Sequence, residues 1–162
     1  MGVFRFLGKL LLAFLGAIFA FSLASLAAAA YMKPRMEDDA NPEDDEIELA
    51  VVYDGRDFTS KASSFRGGRI VCWYAGLDVD LRGAQLDPTG AELDVFTLFG
   101  GTRIRVPGDW RVQMRGMSVF GGATGPDTDP LEPNAPVLRV RHRTVFSGLD
   151  VESSRGDELV LV

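Results

Sequence analysis

Asp94-Val-Phe-Thr-Leu-Phe-Gly-Gly101 is one of four phrases that align without gaps along the chain, and this repeat decides the fold. The other three are Arg69-Ile-Val-Cys-Trp-Tyr-Ala-Gly76, Arg115-Gly-Met-Ser-Val-Phe-Gly-Gly122 and Arg141-His-Arg-Thr-Val-Phe-Ser-Gly148. A weaker copy, Tyr53-Asp54-Gly55, precedes them. The final glycines of the four phrases are 25, 21 and 26 residues apart. A period of this length is typical of proteins in which each copy stacks on its neighbours.

Each phrase keeps the same residue types at fixed positions. Two positions before the final glycine stands an aromatic residue, and four positions before it stands a small one. The aromatic and glycine pairs are Tyr74 and Gly76, Phe99 and Gly101, Phe120 and Gly122, and Phe146 and Gly148. The small residues are Cys72, Thr97, Ser118 and Thr144. We expect the aromatic rings to form a buried column, each packing on the next copy along the chain, and the glycines to relieve the corners between strands.

The segment from Ile47 to Val162 has the pattern of a β domain. Apolar and polar residues alternate, and Gly or Pro interrupts each run. This pattern predicts an all-β fold built as a short parallel β-solenoid. An antiparallel β-sandwich is the alternative, because it also has short strands and regular turns. Stacking in register would place Asp78 beside Arg103 and Asp80 beside Arg105 on an exposed face.

The N-terminal part predicts a membrane anchor and a tether. Residues 1–9 form a short tail, residues 10–31 carry no charge, residues 32–46 are acidic and contain proline, and residues 47–162 form the β domain. As a helix, residues 10–31 would span about 33 Å at ~1.5 Å per residue, which is enough to cross a bilayer core. The acidic segment buries too little apolar surface to fold alone, so we expect a flexible linker.

The anchor has an alternative. Arg5 and Lys9 precede the apolar run, and the stretch Ser25-Leu-Ala-Ala-Ala-Ala30 could precede a cleavage site, as in a secretory signal. We therefore expect a single-pass protein of the cell membrane, with secretion after signal cleavage as the alternative. Lys33 and Arg35 follow the run, so basic residues flank both ends and do not decide which side of the membrane the β domain faces.

Composition excludes several classes of function. The chain has 162 residues with one cysteine and one histidine, which rules out an internal disulfide and makes a zinc centre improbable. The net charge of −6 argues against nucleic-acid binding. From Leu49 onward there are 13 basic and 15 acidic residues, so most of the negative charge belongs to the linker.

Few residues could carry chemistry. Cys72 and His142 fall in different columns of the aligned phrases, and a nucleophile needs a base nearby, so the sequence predicts a protein that is not an enzyme and has no cofactor or metal. A cluster of arginines is the candidate interaction face, since alternation would place many of them on one side of a sheet. Its members are Arg103, Arg105, Arg111, Arg115, Arg139, Arg141 and Arg143. They could contact anionic headgroups or an acidic partner, or form a solvated face interleaved with acids.

Several phrases resemble one known family. In chain order, these phrases are Gly76-Leu-Asp-Val-Asp-Leu-Arg-Gly-Ala84, Phe99-Gly-Gly-Thr-Arg-Ile-Arg-Val-Pro-Gly-Asp-Trp-Arg-Val112, Phe120-Gly-Gly122 and Phe146-Ser-Gly-Leu-Asp-Val-Glu152. Their order resembles that of the C-terminal domain of the LiaF family, the cell wall-active antibiotics response proteins. The resemblance covers about Gly55 to Glu152. The family's N-terminal half usually has several membrane helices, and this chain has one apolar segment.

The resemblance implies a function and a partner. Members are bacterial membrane proteins of the cell-envelope stress response, and the type member restrains a membrane sensor kinase. We therefore expect a non-enzymatic regulatory or scaffolding protein that acts through protein–protein contact. The alternative is a binding module whose arginine-rich face meets anionic lipid or a cell-wall polymer. The family supplies no catalytic motif, and the sequence does not determine the oligomeric state.

Overall fold

The computed structural model describes residues 2–36, 40–126 and 135–154. The chain divides into a helical unit, Met1–Arg35, and a β unit, Met36–Val162. Helix α1 (Gly2–Met36) makes up nearly all of the helical unit and ends one residue beyond it. The β unit contains β1 (Glu46–Val52), β2 (Gly55–Thr59), β3 (Gly67–Trp73), β4 (Gly76–Asp80), β5 (Ala91–Leu98), β6 (Gly101–Pro107), β7 (Arg111–Val119), β8 (Gly122–Thr124), β9 (Val137–Val145) and β10 (Gly148–Ser154).

Helix α1 is long and apolar enough to cross a membrane. Its segment Phe6–Ala24 has a mean hydropathy of 2.1, and none of it is buried in the protein. A signal sequence near the N-terminus has the same properties. The helix continues to Met36, so the first residues of the expected linker are helical. The acids at 37–39 lie outside the described residues.

The β unit consists of two parallel sheets of five strands each. The first has the order β1-β3-β5-β9-β7 and the second has the order β2-β4-β6-β10-β8. Each copy of the sequence repeat supplies one strand to each sheet, and we number these pairs repeat 1 (β1, β2) to repeat 5 (β9, β10). All pairings between the named strands are parallel, so the antiparallel alternative is wrong.

The repeats are not stacked in chain order. Repeat 5 lies between repeats 3 and 4 in both sheets, which corrects the expectation that each copy packs on the next along the chain. Burial gives a physical reason. At matched inward positions, Val140 and His142 of β9 are buried, whereas Met114 of β7 is half-buried and Gly116 is exposed. The second strand of repeat 4, β8, has only three residues and suits an edge.

The core lies between the two sheets. Ile70 and Val95 of the first sheet and Val79 and Ile104 of the second are almost completely buried. Full burial of such side chains stabilises by roughly 1.5–3 kcal/mol each. Beside the sheets, Trp110 is buried and stacks on Phe65 with ring centroids 5.9 Å apart, so Trp110 belongs to the core.

The repeat aromatics form a stacked ladder, but they are not an interior column. Ring centroids lie 5.2 Å apart between Tyr53 and Tyr74, 4.7 Å between Tyr74 and Phe99, 5.1 Å between Phe99 and Phe146, and 4.8 Å between Phe146 and Phe120. Phe146 and Phe120 are largely exposed, so the expected burial of all four rings is wrong. The ladder runs along the corner between the sheets, and its order is again that of repeats 1-2-3-5-4.

Backbone conformation explains the corner. The aromatic residues themselves have a positive φ, between 47° and 54°, whereas the glycines two positions later do not. Each aromatic thus occupies the left-handed region that side chains rarely adopt, at a cost of order 1–3 kcal/mol. A Cβ added at Gly76, Gly101, Gly122 or Gly148 would meet nothing within 4 Å. The expectation that these glycines relieve a clash or a positive φ is therefore wrong.

Candidate interaction surface

The seven candidate arginines do not form one face. Arg103 and Arg105 lie on β6 in the second sheet, while the other five lie on β7 and β9 in the first sheet. The alternation of inward and outward side chains correctly indicated which arginines lie on the same face of a strand. It could not show that β6 and β7, which are consecutive in the chain, belong to different sheets.

Arg103 and Arg105 belong to an ion-pair network. Strand register places Asp78 opposite Arg103 and Asp80 opposite Arg105, as the sequence predicts. An Arg105 nitrogen lies 3.2 Å from Asp78 Oδ1, and an Arg103 nitrogen lies 3.5 Å from Glu152 Oε1. These two arginines therefore match the solvated, acid-interleaved alternative.

Asp80 has a different partner from the one expected. Its carboxylate accepts hydrogen bonds from Arg82 Nε and Nη2, the shorter at 2.6 Å. Hydrogen bonding from Arg82 lowers the pKa of Asp80 below its ordinary value. Arg105, the register neighbour of Asp80, turns to Asp78 and Glu152 instead.

A row of charges crosses the outer face of the first sheet. In register, the row is Glu48, Arg69, Asp94, Arg141 and Arg115. Opposite charges alternate along it until the last two positions, which are both arginine. Arg141 is paired with Glu92 and with Asp94, whose Oδ1 lies 3.1 Å from its Nε. Within the described residues, Arg115 has no ion pair, and neither do Arg139 and Arg143.

An apolar surface adjoins these unpaired arginines. In the described β unit the exposed large hydrophobic residues are Phe96 at 37%, Met117 at 63%, Phe146 at 49% and Phe120 at 77%. Register places Arg143 between Phe96 and Met117, and Phe120 stacks on Phe146. We call this set the corner patch: Phe96, Arg115, Met117, Phe120, Arg143 and Phe146. The sequence repeat did not predict the corner patch, because the exposure of these side chains depends on the order in which the repeats stack.

The two ends of the first sheet differ. Ile47, Leu49 and Val51 on β1 point into the core and are almost completely buried. The corresponding positions on β7 are Met114, Gly116 and Ser118, of which Gly116 is exposed and the other two are half-buried. Within the part of the chain that the structure describes, the β1 end of the sheet is therefore closed and the β7 end is open.

A shallow groove crosses the second sheet. Gly76, Gly101, Gly148 and Gly122 lie side by side in register and leave a space of about 520 Å³ beside Asp78, Arg103 and Asp150. Thr124 Oγ1 donates a hydrogen bond to Asp150 at 2.7 Å. The aligned glycines of the repeat were the signal that could have revealed this groove.

The small-residue column is a polar row that is buried except at Ser118, which is half-buried. Cys72, Thr97, Thr144 and Ser118 are neighbours in register. Thr144 donates a hydrogen bond to Ser118 at 2.8 Å, and the Cys72 thiol contacts the Ala75 carbonyl at 3.2 Å. Burial raises the pKa of the Cys72 thiol, which keeps it protonated and unreactive at neutral pH.

His142 lies in the core on β9, two strands from Cys72, with β5 between them. Desolvation lowers the pKa of its imidazole, so the neutral form is favoured. Its Nδ1 is buried and has no hydrogen-bond partner. The structure thus does not bring the chain's cysteine and histidine together. Among the described residues, no group of three or more His, Cys, Asp or Glu side chains could hold a metal ion.

Comparison with known proteins gave no match: no family model fits the chain, and neither the curated proteins nor the solved structures contain a significant relative.

Proposed function

We propose that this chain is a non-enzymatic bacterial envelope protein, held in the cell membrane by α1, whose β unit regulates or scaffolds another protein through direct contact. The observation that carries the proposal is the corner patch. Of its four exposed hydrophobic residues, Phe96 and Met117 lie on β5 and β7, and Phe146 and Phe120 directly follow β9 and β7. They adjoin two arginines that have no ion pair in the described structure.

The composition of the patch suits a protein partner. Large exposed apolar surfaces on soluble domains mark interaction sites. Phe, Met and Arg are enriched in protein interfaces, where arginine combines a charge with an apolar stem. The other large hydrophobic residues of the described β unit are buried or half-buried, so the exposed patch is a local feature of one corner.

The two sheets are further proposed to be the faces of one short parallel β-solenoid. Each repeat passes from the first sheet to the second at the same corner, marked by its ladder aromatic and the glycine that starts the second strand. The shared register of Gly76, Gly101, Gly148 and Gly122 supports this arrangement. The repeats then form a stack of order 1-2-3-5-4.

The partner class follows from the sequence resemblance. Phrases such as Phe99–Val112 support a relationship to the LiaF family, and a membrane sensor kinase of the envelope stress response is then the partner to test first. Only the order and spacing of the phrases support this part of the proposal.

A second function is favoured by a different observation. Arg115, Arg139 and Arg143 are exposed and lack ion pairs among the described residues, and such arginines attract anionic lipid headgroups or an anionic cell-wall polymer. Binding of this kind depends steeply on salt, because it exchanges counterions for fixed charges. Packing of Phe120 and Met117 against a protein depends on salt much less.

A pull-down from native bacterial membranes separates the two. The full chain and a Met117→Ser/Phe120→Ser variant are compared, with Thr59→Ser as the matched surface control. Recovery of a membrane protein that survives 0.5 M salt and is lost only in the double variant would support protein contact. Equal recovery by all three chains, together with salt-sensitive binding to anionic vesicles, would overturn it in favour of the second function.

A further inference from the structure

We propose that the open edge of β7 binds an extended segment of the partner as an added β-strand, with an acidic residue of that segment facing Arg115 and apolar residues facing Met117 and Val119. This inference rests on the proposed protein contact and specifies its chemistry.

The backbone of β7 is available for pairing. Strand β7 has nine residues and pairs with β9 on one side, and no other strand of the described chain lies on its other side. Half of the N–H and C=O groups of such an edge strand point away from the sheet, which makes it a template for another strand.

Among the described residues, the core is also only partly covered at this edge. Met114 and Ser118 point inward yet are only half-buried, and Gly116 is exposed. At the opposite end, Ile47, Leu49 and Val51 occupy the matching positions and are buried. A strand added to β7 would place its own inward side chains over Met114 and Gly116 and close the core there.

The charges specify one position of the added strand. Along the outer row, Glu48, Arg69, Asp94 and Arg141 alternate in sign, and Arg115 then follows Arg141 with the same sign. Like charges on neighbouring strands repel, and an acidic residue beside Arg115 would restore the alternation. Arg115 has no acid for this purpose among the described residues.

The apolar rows specify the remaining positions. Met117 and Val119 follow Arg115 by two and four positions on the same face of β7. Phe120 comes next and ends the aromatic ladder, with one face of its ring unstacked. The matching ligand has an acid, then apolar residues two and four positions later, followed directly by an aromatic one. Strand β1 and the residue after it carry this pattern as Glu48, Ala50, Val52 and Tyr53, at the other end of the same rows.

The observations favour a partner segment over the other occupants. At β1, Ile47, Leu49 and Val51 are already buried within the chain, so a second copy joined through its β1 edge would gain no cover for its own core. A second copy joined through β7 would bring the Arg115 side chains of the two chains together, and their charges would repel. Lipid cannot form hydrogen bonds to the edge in the strand-like, alternating way that a peptide backbone can.

Fluorescence anisotropy with a labelled peptide tests the proposal. The probe is a synthetic peptide with the sequence of residues 46–54, and the protein is the full chain in detergent micelles. We expect saturable binding that Arg115→Glu weakens at least tenfold. A peptide with lysine at the position of Glu48 should restore binding to that variant. Arg105→Glu, on the other sheet, is the matched control and should leave the affinity unchanged.

N-methylation of the peptide backbone examines the strand pairing itself. Methyl groups on the alternate amides that face β7 should reduce affinity at least tenfold, and methyl groups on the other set should not. Absence of binding by the unmodified peptide, or equal effects of the two methylated peptides, would overturn the strand addition. Binding that appears only after residues 155–162 are deleted would also overturn it, since the chain itself would then occupy the edge. A partner captured through Met117 and Phe120 without peptide binding would leave the proposed function standing.

Discussion

An Arg105 nitrogen lies 3.2 Å from Asp78 Oδ1, although strand register places Arg105 opposite Asp80. The Asp80 carboxylate is occupied by Arg82 at 2.6 Å. Arg105 therefore reaches diagonally to Asp78 and across to Glu152, with a nitrogen 3.9 Å from Glu152 Oε2. The local partner two residues away in the chain has displaced the cross-strand partner.

This relationship predicts unequal couplings in double-mutant cycles. Asp78 and Arg105 should couple by about 0.2–1 kcal/mol, which is the usual range for partly exposed pairs. Asp80 and Arg105 should couple by less, because Arg82 holds the Asp80 carboxylate. Urea unfolding of the full chain in mild detergent, followed by tryptophan fluorescence, measures both cycles. A larger coupling for Asp80 with Arg105 would show that the Arg82 contact does not persist in solution.

Adjacent glycines should respond differently to the same substitution. A Cβ at Gly100 would collide with the Ala75 backbone carbonyl, whereas a Cβ at Gly101 would meet nothing within 4 Å. We expect Gly100→Ala to destabilise the β unit by roughly 1–3 kcal/mol, as overpacking does, and Gly101→Ala to have little effect. Thermal unfolding of the two variants beside the wild type measures the difference. Equal melting temperatures would contradict the close approach of repeats 2 and 3 at this corner.

The stacking order can be tested through the aromatic ladder. Phe99 contacts Phe146 at 5.1 Å between ring centroids, and Phe120 contacts Phe146 at 4.8 Å. Cycles with leucine substitutions should therefore give coupling of about 0.5–1.5 kcal/mol for Phe99 with Phe146. Phe99 with Phe120 should show none. Stacking in chain order would reverse this result, with coupling between Phe99 and Phe120.

Acid should weaken the β unit through His142. Burial lowers the pKa of the native imidazole, so below its ordinary pKa of about 6.5 the unfolded chain binds a proton that the folded chain resists. The contribution of neutral His142 to the stability of the β unit is therefore complete above a pH of about 6.5. It is lost as the pH falls from there through the lowered pKa of the folded state. His142→Gln removes the titration, so the wild type should lose stability between pH 7 and pH 5 relative to this variant. Parallel pH profiles would mean that His142 titrates normally in the folded state.

Sequence predicted the elements that depend on short-range pattern. Alternation identified the strands, and the aligned phrases predicted parallel register, including Asp78 opposite Arg103. These features are repeated in every copy, so one chain contains several independent instances of the signal.

The sequence repeat does not determine the order in which the repeats stack. Spacing is compatible with repeat 4 or repeat 5 beside repeat 3, and the choice depends on which strands bury better. The aromatic positions were predicted correctly, but their exposure was not. All of these residues share a positive φ, and Phe120 is the most exposed because repeat 4 lies at the end of the stack. The prediction of a single arginine face was wrong because Arg105 and Arg111 belong to different sheets.

Site-specific crosslinking tests the central proposal, contact between the corner patch and a membrane partner protein, most directly. A photo-crosslinking amino acid is placed at Met117 in the full chain and, as control, at Thr59, and both are irradiated in native bacterial membranes. The account predicts a discrete protein adduct from Met117 and none from Thr59. Lipid adducts alone from Met117, or the same protein adduct from both positions, would contradict it.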